Sequence, residues 1–218
     1  MLLIILIIIL LWKIYTLQYY DIDAITADFE DIKFKTGDLV LFKPYDNHYA
    51  LVFGCYFTHV GIVVVDNNVP MIFEANRNPI FPYIAEHTNG KGIHYSCLKN
   101  RIAHYAGKVY LKKINKEFDE FKRKMLMEYI DFAMKNMYYS NNVISNAALS
   151  LFGLRKCRKD TDCGQILFLL FIKLGLISFH NYYINKASYL YLLTKIKKLD
   201  DGYFYACGLK KINIRNFE

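Results

Sequence analysis

Two stretches of this chain carry side chains that could do chemistry together. In TDCGQILFLLF, Cys163 stands directly behind Asp162 at the opening of an apolar, helix-like segment. Asp is a favoured helix N-cap, so Cys163 falls at the first helical position, where free backbone N–H groups and the helix dipole favour a thiolate. The same N–H groups can hold an oxyanion. Far upstream, FTHVGIVV (Phe57 to Val64) sets His59 at the mouth of an apolar, β-branched run. A thiol and an imidazole are the parts of a nucleophile and its base. The pairing predicts that the Cys163 sulfur lies within hydrogen-bonding reach of a ring nitrogen of His59.

A third group follows from the pairing of two strands. Phe57 to Val65 and Val69 to Ala75 read as strands joined by Asp66, Asn67 and Asn68, and Asn tolerates the positive φ of tight hairpin turns. With Asn67-Asn68 as the turn, Asp66 pairs with Val69, Gly61 falls opposite Glu74 and His59 opposite Asn76, all on one face. Glu74 is then the diagonal neighbour of His59. A carboxylate there would hold the imidazole tautomer and stabilise the imidazolium. By itself each residue has a plainer reading: a satisfied strand-end histidine, a solvated strand-end carboxylate, a buried structural cysteine.

The elements expected around these residues are short. Gly37 and Asp38 end a turn before a first strand at Leu39 to Phe42, and Tyr49 to Tyr56 is a second apolar piece of undetermined type. Pro79 to Gly92 is loop-like, and Ile93 to Leu98 and Lys108 to Ile114 read as strands. The rhythm of Phe118, Phe121, Met125, Tyr129 and Phe132 predicts a helix over Glu117 to Met137. A short helix over Val143 to Leu154 and a basic loop, Arg155 to Thr161, lead to Asp162. Ile166 to Ile177 reads as a buried core helix, Lys186 to Lys198 as a last helix, and Tyr203 to Lys210 as a closing strand with Cys207 in the core. His48, His87, His94 and His104 are spaced too irregularly for a metal site and are expected at the surface.

Composition narrows the class. A chain of 218 residues accommodates one compact domain. The 19 Tyr against one Trp can reflect an AT-rich genome, so aromatic content argues for no function. The formal charge of +8 comes from dispersed lysines, with only RKCRK (Arg155 to Lys159) clustered, which reads as solvated surface rather than a nucleic-acid footprint. Cys55, Cys97, Cys157, Cys163 and Cys207 form no CxxC pair, so neither zinc nor a closed disulfide framework is indicated. A reducing compartment fits.

The N-terminus, MLLIILIIILLWKIYTLQYY, is unbroken in apolar character from Leu2 to Trp12 and mostly apolar to Tyr20, close to the roughly 17–25 residues that span a bilayer. No basic residue precedes the run and no small-x-small cleavage site follows it, so an uncleaved anchor is expected rather than a signal peptide. The organisation expected is an anchor at 1–20, an acidic linker at 21–34 and a folded domain at 35–218. With reduced cysteines, the domain is placed on the cytosolic side or inside a virion.

Four motifs in this order resemble the circularly permuted branch of the NlpC-type papain-like superfamily, which includes lecithin:retinol acyltransferase-like enzymes, YiiX-like proteins and a poxvirus protein. They are TGDLVLF (Thr36 to Phe42), THVGIVV (Thr58 to Val64), FEA (Phe73 to Ala75) and DCGQIL (Asp162 to Leu167). The resemblance implies an α+β fold, an antiparallel sheet packed with helices, preceded here by one transmembrane helix. It assigns Cys163 as nucleophile, His59 as base and Glu74 as orienting residue, with no cofactor and no metal. Gly164-Gln165 stands where the family often has Ser-Glu, and Tyr139-Ser140 where Tyr-Asp is common.

The function expected is a membrane-anchored thiol hydrolase or acyltransferase acting on an amide or ester, whether in a peptide, a peptidoglycan-type amide or a lipid. Two rivals stand beside it. One is an inactive membrane-tethered structural or adaptor protein, for instance of a large DNA virus particle; the other is a basic binder of lipid head groups through Arg155 to Lys159.

Overall fold

The computed structural model describes residues 24–45, 56–76, 87–88, 92–140, 160–178 and 189–214, together with Ile4, Ile5, Ile7, Ile8 and Trp12. Its frame is an eight-stranded sheet. The strands are β1 (Ala24–Asp28), β2 (Leu39–Pro44), β3 (His59–Asp66), β4 (Val69–Ala75), β5 (His87–Thr88), β6 (Ile93–Cys97), β7 (Gly107–Lys112) and β10 (Leu209–Asn213). They lie in the order β1-β10-β7-β2-β3-β4-β6-β5, antiparallel except for the parallel β1–β10 edge. A separate parallel pair joins β8 (Tyr138–Tyr139) to β9 (Asp160–Thr161). The helices are α1 (Leu98–Ala103), α2 (Glu120–Asn136), α3 (Cys163–Lys173) and α4 (Tyr189–Lys195).

Strand alternation divides the core in two. Leu39, Leu41, Val60, Ile62, Phe73 and Tyr110 face one side, where they pack with Leu126 and Tyr129 of α2 and with Ile166, Leu170 and Phe171 of α3. The Tyr129 hydroxyl donates to the Ile166 carbonyl at 2.9 Å, fastening these two helices. On the other side Val40, Phe42, Val63 and Ile72 pack with Leu98 and Ile102 of α1 and with Phe29, Ile32 and Phe34. α3 is apolar nearly all round because it is buried nearly all round.

The Gly-Asp turn before β2 is structural. Gly37 has φ +104°, and a side chain there would press within 2.9 Å of the Phe118 ring. Asp38 is fully buried. Its Oδ1 accepts from Ile114 N at 2.8 Å, and its Oδ2 from Lys35 N at 2.9 Å and Lys113 Nζ at 2.7 Å. The motif thereby ties the start of β2 to the chain just beyond β7.

Several expectations need correction. The segment read as an acidic linker enters the fold, with β1 pairing with β10 and Phe29, Ile32 and Phe34 buried behind it. The first strand of the domain is therefore Ala24–Asp28, not Leu39 to Phe42. Over Tyr203 to Lys210, Phe204 and Tyr205 make only isolated bridges, and the closing strand runs over Leu209–Asn213. Cys207 is exposed rather than core, and His94 is buried rather than at the surface.

The strands at β6 and β7, the long helix at α2 and the buried helix at α3 stand where the sequence puts them. Tyr49 to Cys55, Val143 to Leu154, the basic loop Arg155 to Lys159 and most of the apolar N-terminus lie outside the described residues. Among the described residues no helix is long and apolar enough to cross a membrane.

Candidate active site

The β3–β4 hairpin forms as its turn residues dictate. Asn67 and Asn68 have φ of 47° and 65°, the two positive angles of a type I′ turn. The register runs from Asp66↔Val69 to Ile62↔Phe73, which brings Gly61 opposite Glu74 when continued. A Cβ at Gly61 would meet Ile72 Cδ1 at 2.5 Å, so a larger residue there requires the Ile72 side chain to move.

On this hairpin His59 Nε2 and Glu74 Oε2 are 2.7 Å apart. The diagonal neighbour, not Asn76, takes the imidazole. Glu74 is 2% exposed, and its second oxygen, Oε1, accepts from Arg101 Nε of α1 at 2.5 Å. Burial opposes ionisation of Glu74, but Arg101 and His59 outweigh it and hold the carboxyl well below the usual carboxylate range. With Glu74 an anion, the hydrogen of this bond sits on Nε2.

Arg101 was invisible to the sequence reading. It is 5% exposed, with its guanidinium 4.6 Å from the Phe42 ring centroid and 5.4 Å from that of Tyr105. It rides on a helix of six residues whose N-cap, Cys97, makes no side-chain capping bond. LKNRIAHY gives no clear signal for it, since Arg101 stands there among Lys99, Asn100 and His104 as well as apolar residues.

Cys163 opens α3 as expected. Asp162 is the N-cap, its Oδ1 accepting from Gln165 N at 2.7 Å. The approach is pinned by the β8–β9 pair, where Ser140 N donates to Thr161 O at 2.8 Å and Thr161 is fully buried. Backbone N–H groups of Val60 and Gly164 reach the sulfur.

The ionisation of this thiol runs against expectation. Cys163 is 5% exposed, and burial, joined by the Asp162 and Glu74 charges, pushes the thiol far above its ordinary range. The two N–H groups offset only part of this. A helix N-terminus lowers a thiol pKa when the site is wet enough, and here the cost of removing a thiolate from water exceeds it.

Among the described contacts, no hydrogen bond joins the Cys163 sulfur to the His59 ring. Strand alternation accounts for this. The His59 ring lies on the Phe42 side of the sheet, 5.2 Å from that ring, whereas Cys163 belongs to the core on the Val60 side. The link between them runs through the backbone of β3, since the Val60 N–H that reaches the sulfur is the next backbone group after His59.

His94 also borders the site. It lies directly across from Glu74 in the β4–β6 register. Burial lowers its pKa, and among the described residues its Nε2 has no hydrogen-bond partner. His104 is exposed. Among the described residues no group of three or more His, Cys, Asp or Glu side chains could hold a metal ion. The described cysteines, Cys97, Cys163 and Cys207, are free thiols.

No protein-family model matches the sequence, and no curated protein matches it. Among solved structures the chain is similar to the metalloprotein YiiX from Escherichia coli O157:H7, with a TM-score of 0.45 and 17% identity. That likeness covers 64% of this chain and 66% of YiiX, just under two thirds of the length of the solved chain.

Proposed function

We propose that this protein is a membrane-anchored thiol hydrolase or acyltransferase with a permuted papain-like core, in which Cys163 is nucleophile, His59 base and Glu74 orienting residue. The observation that carries the reading is the His59 Nε2 to Glu74 Oε2 bond of 2.7 Å, held at the strand end whose next N–H group reaches the Cys163 sulfur. The four motifs resembling the permuted papain-like branch supply the assignment of roles. The anchor rests on the apolar run from Leu2 to Trp12. The described residues within it, Ile4, Ile5, Ile7, Ile8 and Trp12, are helical and exposed.

A thiol held neutral by burial cannot rest as a thiolate–imidazolium pair. In this reading His59 is therefore a general base in the attacking step: Nδ1 takes the Cys163 proton as sulfur adds to the substrate carbonyl carbon. The carbonyl π pair moves onto oxygen, and N–H groups at the start of α3 hold that oxyanion. Its collapse expels the amine or alcohol, which takes the proton from His59 and leaves a thioester on Cys163. Water or a second nucleophile then releases the acyl group.

The test is labelling of the full-length protein with an acyl-type thiol probe. The enzyme reading requires Cys163 to be labelled in preference to the other four cysteines and labelling to vanish in His59→Ala. Cys163→Ser should keep the fold and lose the label. The buried thiol, with no hydrogen bond to an imidazole among the described residues, favours a second reading: an inactive, membrane-tethered structural or adaptor protein that keeps the fold. Equal labelling of Cys163 with and without His59 would establish that alternative.

A further inference from the structure

We propose that Arg101 is a positioning residue of this site, fixing the charge and orientation of Glu74 and through it the tautomer of His59. The inference rests on the Cys163–His59–Glu74 reading for its catalytic meaning, but its physical content is independent of turnover.

Geometry carries it. Glu74 is a carboxylate with 2% of its surface exposed, and a buried anion needs a partner on each oxygen or it protonates. Arg101 Nε occupies Oε1 at 2.5 Å, leaving Oε2 as the acceptor for His59 Nε2 at 2.7 Å. The guanidinium is stacked 4.6 Å from the Phe42 ring centroid, the ring that also lies 5.2 Å from His59. Arginine, carboxylate and imidazole are therefore held in a row on one side of the sheet by the same aromatic side chain.

The consequence is a division of labour. Without the cation, Glu74 would either take a proton or form a closed ion pair with a protonated His59, since in a dry site one positive charge must balance it. In the first case the carboxyl loses its hold on Nε2–H, and in the second Nδ1 is blocked by a proton. With Arg101 present the carboxylate is already balanced, and the imidazole is free to stay neutral with hydrogen on Nε2 and a lone pair on Nδ1. The other groups facing this row are His94 from β6, across from Glu74, and Tyr105 beside the guanidinium, while from the far side of the sheet come the Cys163 thiol and, beside it, the Asp162 carboxylate. None of them carries a permanent positive charge.

The experiment reads the ring nitrogens of His59 by 15N NMR in the full-length protein near neutral pH, without substrate. Wild type should show protonated Nε2 and unprotonated Nδ1. Arg101→Met should lose that signature, giving mixed tautomers or an imidazolium, while Arg101→Lys, which keeps the cation, should retain most of it. If Arg101→Met does not fold, Arg101→Gln replaces it, since it keeps an N–H donor for Oε1 without the charge. An unchanged signature in the neutral variant that folds overturns the proposal. A lost signature together with a wild-type Cys163 that no acyl probe labels would instead uphold Arg101 and reject the enzyme reading alone.

Discussion

The Cys163 sulfur is reached by the backbone N–H of Val60, the residue immediately after His59. Thiol and imidazole thus lie at one strand end on opposite sides of the sheet, and among the described contacts no hydrogen bond joins them.

This arrangement sets the reactivity of the thiol. Burial pushes its ionisation well above the ordinary range, so alkylation of folded protein by iodoacetamide should be slow at neutral pH and rise steadily with pH. Exposed Cys207 should react before Cys163. Mass-spectrometric mapping of the alkylated cysteines against pH checks the order, and rapid modification of Cys163 at neutral pH would contradict it.

Glu74→Gln should be costly twice over. It leaves Arg101 buried without its anion, a loss of about 3–5 kcal/mol by comparison with other broken buried pairs, and it should lower any Cys163-dependent turnover by about 10²–10⁴-fold. Urea unfolding and probe kinetics measure the two effects separately.

The same carboxylate shapes the acid limb of stability. Its folded-state pKa lies below the unfolded value of 4.5. Its contribution is therefore present in full above that pH and is lost as pH falls through the folded value. Wild type should destabilise more steeply than Glu74→Gln below about pH 4.5. Parallel curves would show that Glu74 is not the titrating group.

Lys112 gives a signature of the same sign in the alkaline range. Its Nζ donates to the carbonyls of Leu193 at 2.9 Å and Thr194 at 3.0 Å and also to that of Ile196, closing the C-terminal end of α4. Burial, with Lys195 and Lys197 nearby, lowers its pKa from 10.5 to about 7. Above neutrality the folded state therefore holds fewer protons than the unfolded one, the neutral amine keeping two of the three donations, and stability should increase with pH between about 7 and 10.5. Lys112→Met should flatten that rise in thermal melts.

Asp38 anchors three partners from a fully buried position. Asp38→Ala should cost about 3–5 kcal/mol, leaving the Ile114 N–H and the Lys113 ammonium without their acceptor. Calorimetry checks it, and a loss below 1 kcal/mol would mean that water substitutes for the carboxylate.

What the sequence determined by itself was local. Asn67 and Asn68 specify a positive-φ turn, and a turn with alternation specifies register, which makes Glu74 the diagonal neighbour of His59. Asp162 caps α3 for an equally local reason, since the capping bond spans three residues. The tertiary structure decided what depends on contacts between distant segments. β1 is a strand because Leu209–Asn213 lies beside it, and no pattern within the pentapeptide AITAD announces such a partner. Arg101 meets Glu74 because a six-residue helix folds over β4. Cys163 is held neutral because β3 and the surrounding core exclude water from a helix start that would otherwise favour the thiolate. Turn and cap chemistry act over a few bonds, whereas desolvation and charge balance sum over everything within several ångströms, which only the folded chain brings together.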